Sequence, residues 1–338
     1  VLGAIGWTPL VRMERLFPGS PVRMLAKLEA LNPGGSIKDR PARAILEDAM
    51  ARGRAGSGTV IIESSSGNMG IGLAQACRYH GLRFICVVDP RTTALNLKLL
   101  RAYGAEIDLV SEPEPLSGEF LQARIQRVEE LLRQIPGAFW PNQYANYENA
   151  RAHYRTTMHE IVEALDGRLD ALFVATSTCG TLRGCAEYAR DHALGTRIIA
   201  VDAVGSLIFG NVRAERLIPG LGAGMRPPLC DVSLVDECVH VTDLDCLLGC
   251  RRLLQREAIL GGGSSGAVVS ALGKLRHRLA AGSVCVAIMP DRGERYLDTL
   301  YDDQWVARHF GDVAHLTADA IDAIDAVDAE EVCVLAEA

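Results

Sequence analysis

Asn32-Pro33-Gly34-Gly35-Ser36-Ile37-Lys38-Asp39-Arg40-Pro41 sets one lysine between a Pro-Gly-Gly-Ser turn and a helical pattern that runs to Met50. The glycines allow the backbone conformations a tight turn needs, and proline suits the first turn of a helix. Taken alone, the stretch is a helix start with a solvated lysine, because lysine side chains are mostly exposed. The segments around it give it another meaning.

Upstream, residues 5–12 and 22–29 read as short strands about a Pro-Gly turn. Downstream, an apolar strand at 59–63 leads through Ser64-Ser65-Ser66-Gly67-Asn68 into an apolar helix ending near Tyr79. Strand 83–89, helix 93–103 closed by Gly104, and strand 105–111 follow. A helix over 118–134 carries Leu121, Ile125, Val128, Leu131 and Leu132 at helical spacing. After a loop-rich stretch at 136–149 comes a long helix to 165. The alternation then resumes with strands 170–176, 197–203, 238–241 and 283–289 and helices 182–193, 243–257 and 266–280. Residues 204–236 are irregular and rich in glycine and proline. Strands alternating with helices define an α/β protein with mostly parallel sheets, and the break near 136–150 divides it into two units.

The chain has 338 residues, 49% hydrophobic, with a formal net charge of −7, enough for a large core or two. A mildly acidic chain without a basic cluster gives no basis for nucleic-acid or anionic-membrane binding. No apolar run is long enough to span a bilayer and no signal peptide is read, so the expected location is the cytoplasm. The ten cysteines contain no Cys-x-x-Cys and most lie in apolar runs, as buried free thiols would. The eight histidines form no His-x-x-x-His pattern, and no catalytic metal is expected.

In parallel α/β folds, sites form at the carboxyl ends of strands. Ser64-Ser65-Ser66-Gly67-Asn68 sits at such a junction, where backbone N–H groups and hydroxyls can hold a carboxylate; helix capping would explain one serine, not three. Ser177-Thr178-Cys179-Gly180-Thr181 sits at another and suits a phosphate, although an ordinary capped turn explains it as well. There is no Gly-x-x-x-x-Gly-Lys-Ser/Thr, and no Gly-x-Gly-x-x-Gly follows the first strand, so neither a nucleotide P-loop nor a dinucleotide site is supported. Gly261-Gly262-Gly263-Ser264-Ser265-Gly266 is a third loop built for close approach. In Pro290-Asp291-Arg292-Gly293-Glu294-Arg295-Tyr296, most of the charges read as a solvated turn.

The order of these pieces, with Asn-Gln-Tyr at 142–144, resembles the cysteine synthase/cystathionine β-synthase family over Ile5 to Asp303. Each piece alone is weak; the combination is specific. That family consists of fold-type-II enzymes dependent on pyridoxal 5'-phosphate (PLP). The resemblance implies a tryptophan synthase β-like architecture of two domains, each a mostly parallel twisted sheet flanked by helices. Residues 35–148 would form a smaller mobile domain, 5–34 and 149–310 a larger cofactor-binding domain, and 311–338 an acidic tail, with 318–329 a peripheral helix or mobile segment. At 142–146, 201–210 and 289–298 the chain is most similar to the branch that joins O-phospho-L-serine to L-glutamate with release of phosphate. That branch serves L-2,3-diaminopropionate, siderophore and peptide natural-product synthesis. The alternative is sulfide as acceptor, with O-acetylserine or O-phosphoserine as donor. A catalytically dead relative is disfavoured by the intact Lys38, Asn68 and Ser264.

Residue by residue, the resemblance places the PLP Schiff base on Lys38 and the cofactor's 3'-hydroxyl at Asn68. Ser177, Thr178, Cys179, Gly180 and Thr181 would cradle the cofactor phosphate, and Ser264 would meet the pyridine nitrogen. Ser65, Ser66, Asn68 and Gln143 would receive the substrate α-carboxylate. A serine, unlike an aspartate, does not hold the ring nitrogen protonated, which favours loss of a β-leaving group, with Lys38 as the base at Cα. The chain departs from the sulfur-metabolising members at Ser177 and Cys179, where glycine is usual, at Met69 for threonine, and at Tyr144 for phenylalanine. Tyr144 and Ser177 are therefore expected to help select the second substrate. A phosphorylated donor also needs a cation, for which Arg226 and Arg216 are candidates. The family further implies amino-acid substrates, a homodimer, and an opine-dehydrogenase-like pathway partner.

Overall fold

The computed structural model describes residues 1–115, 118, 120–313 and 315–316, and the backbone of 332–333. Its first half contains β1 (Leu10–Arg12), β2 (Arg23–Leu28), α1 (Asp39–Ala51), β3 (Val60–Ser64), α2 (Asn68–His80), β4 (Arg83–Val88), α3 (Ala94–Ala102), β5 (Glu106–Leu109) and α4 (Phe120–Gln134). The second contains α5 (Glu148–Ala152), α6 (His159–Ala164), β6 (Ala171–Ala175), α7 (Gly180–Asp191), β7 (Arg197–Ala203), β8 (Glu237–Val241), α8 (Asp243–Glu257), α9 (Gly263–Leu275), β9 (Val284–Met289), α10 (Asp303–Phe310) and β10 (Val332–Cys333).

These strands make two sheets. One is three-stranded, β3-β4-β5, and wholly parallel; the other is seven-stranded, in the order β1-β2-β9-β6-β7-β8-β10. Among the described residues, the edge pairs β1–β2 and β8–β10 of the larger sheet are antiparallel and its other pairs are parallel. The chain thus contributes β1 and β2 to the larger sheet, builds the smaller one, and returns. Strands β3, β4, β6, β7 and β9 are buried along nearly their whole length, as parallel strands covered on both faces must be. Helix α9 is buried throughout and packs so closely on α8 that a Cβ at Gly249 would lie 2.0 Å from the Gly266 carbonyl oxygen.

The elements follow the sequence pattern with three instructive differences. The first strand is Leu10–Arg12 rather than 5–12, because Gly6 (φ +97°) and Trp7 (φ +47°) leave the extended region and Gly6 N–H donates to Asn32 Oδ1 at 2.9 Å. The long helix after 148 is interrupted by a π-helical segment, His153–Met158. Helix α9 begins at Gly263, so the last residue of the glycine run lies in its first turn. Residues 318–329 lie outside the described residues, while Val332–Cys333 pair with Val239 and Cys238 along the β8 edge. No helix among the described residues is long and apolar enough to cross a membrane.

A buried charge network fixes the start of α1. Arg40 donates from Nε to Glu29 Oε2 (2.6 Å) and from Nη1 to Glu160 Oε1 (2.5 Å); Lys27 Nζ reaches Glu160 Oε2 (2.6 Å) and the Thr8 carbonyl (2.7 Å). All four charged groups are almost wholly buried. Removing one partner would strand an uncompensated charge, at a cost of about 3–5 kcal/mol. The network ties β2, α1 and α6 together two residues beyond Lys38, and so sets where that lysine emerges.

Candidate active site

A cavity of about 560 Å³, a size typical of small-molecule sites, opens where the carboxyl ends of strands from both sheets meet. Lys38 lines it. The turn before Lys38 is held against the loop after β9: Ile37 N–H donates to the Pro290 carbonyl (2.8 Å), and Ser36 pairs with Asp291 as an isolated bridge. Gly34 has to be glycine, since a Cβ there would fall 2.5 Å from Asp39 Oδ1. Burial pushes the Lys38 ammonium down to about 8, with the Asp291 carboxylate pulling the other way. About a tenth of this amine is therefore unprotonated at pH 7, far more than for an ordinary lysine, as an imine-forming lysine requires.

Ser177, Thr178, Cys179, Gly180 and Thr181 curve around one end of the cavity. Cys179 takes the left-handed conformation (φ +63°) just before α7, which turns the following amides toward the cavity end of the helix. Asn149 Nδ2 holds the loop from behind, donating to Thr178 Oγ1 (3.2 Å) and to the Gln143 carbonyl (2.7 Å). A Cβ at Gly180 would lie 2.1 Å from Asn149 Oδ1, so this close approach needs glycine. The Cys179 thiol, hydrogen-bonded to Cys230 and buried, is held well above its ordinary value and stays protonated.

Across the cavity lie Ser64, Ser65, Ser66, Gly67, Asn68 and Met69. Ser65 Oγ accepts from Gly70 N–H at 2.9 Å, satisfying a first-turn amide of α2. Asn68 Nδ2 reaches the other sheet's side of the cavity, donating to Asp291 Oδ2 at 2.8 Å. Gln143 Nε2 donates to the Ser64 carbonyl (3.2 Å) and its backbone N–H to Glu63 Oε2 (3.2 Å). Tyr144 lines the cavity, and burial raises its phenol. Ser264, in the first turn of α9, faces the same space.

Two charged residues sit differently from what the sequence pattern suggests. Arg226 is not among the cavity-lining residues; its Nε donates to the Ile208 carbonyl (2.9 Å), whereas Arg216 does line the cavity. Asp291 is not part of a solvated turn. It is 1% exposed, while its neighbours Arg292 and Glu294 are exposed. Its Oδ2 accepts from both Asn68 and Tyr296 (2.7 Å to the latter), and burial raises its pKa. Gly262 explains the room for it, because a Cβ there would meet Asp291 Oδ1 at 2.1 Å and the Tyr296 ring at 2.5 Å. Arg91 and Arg124 also line the cavity and were not singled out from the sequence; Arg124 Nε lies 3.2 Å from the Asp89 carboxylate. Among the described residues no group of His, Cys, Asp and Glu is arranged to hold a metal ion.

The donor set fits PLP: a reactive lysine, an anion cradle at a helix start, and an amide and a hydroxyl positioned for the ring. Polar atoms of the cavity wall are buried without a hydrogen-bond partner, among them Ser64 Oγ, Asn96 Oδ1, Asp291 Oδ1, Arg216 Nε and Nη1, and Arg295 Nη1. Such atoms are costly unless a ligand meets them.

The profile of a family described as "Pyridoxal-phosphate dependent enzyme" matches residues 1–291, and the chain belongs to that family. It is 49% identical over 308 residues to N-(2-amino-2-carboxyethyl)-L-glutamate synthase of Ralstonia nicotianae, covering 91% of each chain. It is 46% identical over 311 residues to the protein of the same name in Cupriavidus metallidurans, again covering 91% of each. Among solved structures, O-ureido-L-serine synthase superposes with a TM-score of 0.84 at 32% identity, over 90% of this chain and 98% of that one. An O-acetylserine-dependent cystathionine β-synthase from Helicobacter pylori gives a TM-score of 0.83 at 32% identity, over 88% and 96%.

Proposed function

We propose that this enzyme joins O-phospho-L-serine to L-glutamate, giving N-(2-amino-2-carboxyethyl)-L-glutamate and phosphate. The observation that carries this reading is the charge of the cavity wall. Arg91, Arg124, Arg216 and Arg295 line it against Asp89 and Asp291, and the Arg216 guanidinium has buried N–H groups with no partner. A phosphorylated donor calls for one such cation with either acceptor, and a dicarboxylate acceptor calls for more where sulfide calls for none. The names of the relatives agree with this choice.

Lys38 would hold PLP until the donor's amine takes its place, and the chemistry the cofactor would supply is an electron sink for the donor's Cα–H and β-phosphate bonds. The protein does the rest. Lys38 Nζ takes the proton from Cα. Ser65, Ser66, Asn68 and Gln143 hold the α-carboxylate, and Ser177 through Thr181 hold the cofactor phosphate. Ser264 accompanies the ring nitrogen without protonating it. Arg216, in place of Arg226, receives an anionic group of the substrates. Tyr144 and Ser177 shape the space for the acceptor; if replacing both left glutamate use unchanged, that role would be withdrawn.

The wider reading is of a cytoplasmic homodimer whose residues 35–148 move over bound substrate. Its product would pass to an opine-dehydrogenase-like enzyme on the way to L-2,3-diaminopropionate and siderophores. The deciding experiment measures phosphate release from O-phospho-L-serine with glutamate or sulfide as acceptor, with mass spectrometry of the products. Glutamate-dependent release and the expected adduct support the proposal. Turnover with sulfide alone would make the enzyme a cysteine synthase.

A further inference from the structure

Thr181 has a partner behind it that neither the sequence nor the reaction calls for. His153 is wholly buried and stands at the start of the π-helical segment His153–Met158, a helix irregularity frequent at functional sites. Its Nε2 lies 3.2 Å from Thr181 Oγ1 and its Nδ1 lies 2.9 Å from Thr157 Oγ1, with Thr157 also wholly buried. The approach is possible because α7 rests almost backbone to backbone on the end of α5 and this segment: a Cβ at Gly184 would fall 2.1 Å from the Ala150 carbonyl oxygen and 2.8 Å from the Tyr154 nitrogen. Burial, reinforced by the charges of Lys38 and Arg40, holds the imidazole pKa well below its ordinary value. The ring is neutral, so one nitrogen donates and the other accepts.

Two directions are open to the chain Thr157–His153–Thr181. If Nδ1 donates to Thr157, Nε2 must accept the Thr181 hydroxyl proton, and Thr181 then turns only lone pairs toward the cavity. If the Thr157 hydroxyl donates to Nδ1, Nε2–H donates to Thr181 Oγ1, and the Thr181 proton is free to point into the cavity. Only the second direction suits an anion there.

We propose that His153 is a positioning residue, which fixes Thr181 as a hydrogen-bond donor to the phosphate of the cofactor through the sequence Thr157 O–H to Nδ1, Nε2–H to Thr181 Oγ1. This rests on residues 177–181 holding that phosphate. No proton is transferred; the direction of two hydrogen bonds is selected. A neutral imidazole does this where an imidazolium could not accept from Thr157.

The test is PLP binding to the apoenzyme, followed by absorbance, together with the ³¹P resonance of the bound cofactor. His153→Phe keeps an aromatic ring and loses both nitrogens. It is expected to weaken PLP binding about fivefold, the size of one neutral hydrogen bond, and to shift the ³¹P resonance. His153→Gln, whose side-chain amide can supply a donor near the Nε2 position, should restore most of the affinity and the resonance. Thr181→Val should cost a similar factor, and the double variant His153→Phe/Thr181→Val no more than either single one. The proposal is overturned if His153→Phe binds PLP like the parent, if the two losses multiply, or if the resonance is unmoved. Should His153→Phe fail to fold, the Gln variant carries the test, since a Gln variant as weak as Thr181→Val also overturns it. Unchanged affinity in Thr181→Val would instead remove the phosphate assignment of the loop on which the proposal stands.

Discussion

The two loops that face each other across the cavity are built differently. Residues 177–181 are held from behind by Asn149 and His153, with a left-handed turn at Cys179 and a glycine whose Cβ would have no room. Residues 64–68 are tied through their carbonyls, which accept from Gln143 Nε2 at Ser64, Cys86 Sγ at Ser65 and Asn96 Nδ2 at Ser66, while their own side chains are less fixed. Ser65 serves the first turn of α2, Ser64 Oγ has no hydrogen-bond partner among the described residues, and a side-chain bond spans the cavity from Asn68 to Asp291. The first arrangement suits a group that stays bound through every turnover, and the second suits a group that arrives and leaves. Preorganisation belongs where the ligand is permanent.

The largest effect should come from disturbing the fixed side. Gly180→Ala drives a methyl group into Asn149, which is itself pinned to Gln143 and Thr178. Strain of this kind costs about 1–3 kcal/mol, so PLP affinity should fall by about 5- to 150-fold. Titration of the apoenzyme with PLP measures it. A Gly180→Ala enzyme with parental affinity would mean that the loop adapts as easily as its counterpart, and the contrast would collapse.

The extent to which this contrast could be read in the sequence depended on whether the signal was local. Lys38 behind its Pro-Gly-Gly-Ser turn, and the small-residue loops at strand ends, stand in contiguous stretches and could be found there. So could the alternation that gives parallel sheets, and the resemblance supplied the roles. What escaped was assembled from a distance. Asp291 reads as one charge among several in a turn; it is buried because Gly262, distant in sequence, leaves space for it. Arg91 and Arg124 come from separate elements and share a cavity only in three dimensions. Arg226 and Arg216 look alike in an irregular segment, and only the fold shows which one bonds to a backbone carbonyl and which lines the site. His153 sits in an ordinary helical pattern, and its π-turn has no local mark.

Lys38 lies between the two loops and gives the second test. With its pKa lowered to about 8 by burial, the free amine is the main form above that pH and falls tenfold per unit below it. The rate of PLP uptake by apoenzyme should follow that curve and level off above about pH 8. A rate still climbing at pH 10 would show an ordinary, solvated lysine. The stability of the apoprotein provides an independent check. Between about 8 and 10.5 the unfolded chain binds a proton that folded Lys38 has lost, so this residue makes stability rise with pH across that window. Lys38→Met should remove that increment and make the apoprotein more stable below pH 8.

The smallest effect is the most discriminating. Ser65→Ala removes the oxygen that accepts Gly70 N–H at 2.9 Å and Gly67 N–H at 3.4 Å, and with it a hydroxyl assigned to the substrate carboxylate. Loss of a helix-start acceptor costs about 1 kcal/mol, which corresponds to about a fivefold change. If residues 64–68 serve the transient ligand, this should appear as a rise in KM for O-phospho-L-serine, with PLP affinity within about twofold of the parent. The loop meets the cofactor side through Asn68 on Asp291 and through the Ser64 carbonyl on Gln143, and the variant keeps both. A parallel loss of PLP affinity would show that the loop is part of the permanent binding surface. The division of labour would then lie between residues within each loop, Asn68 against Ser65 first, rather than between the two sides of the cavity.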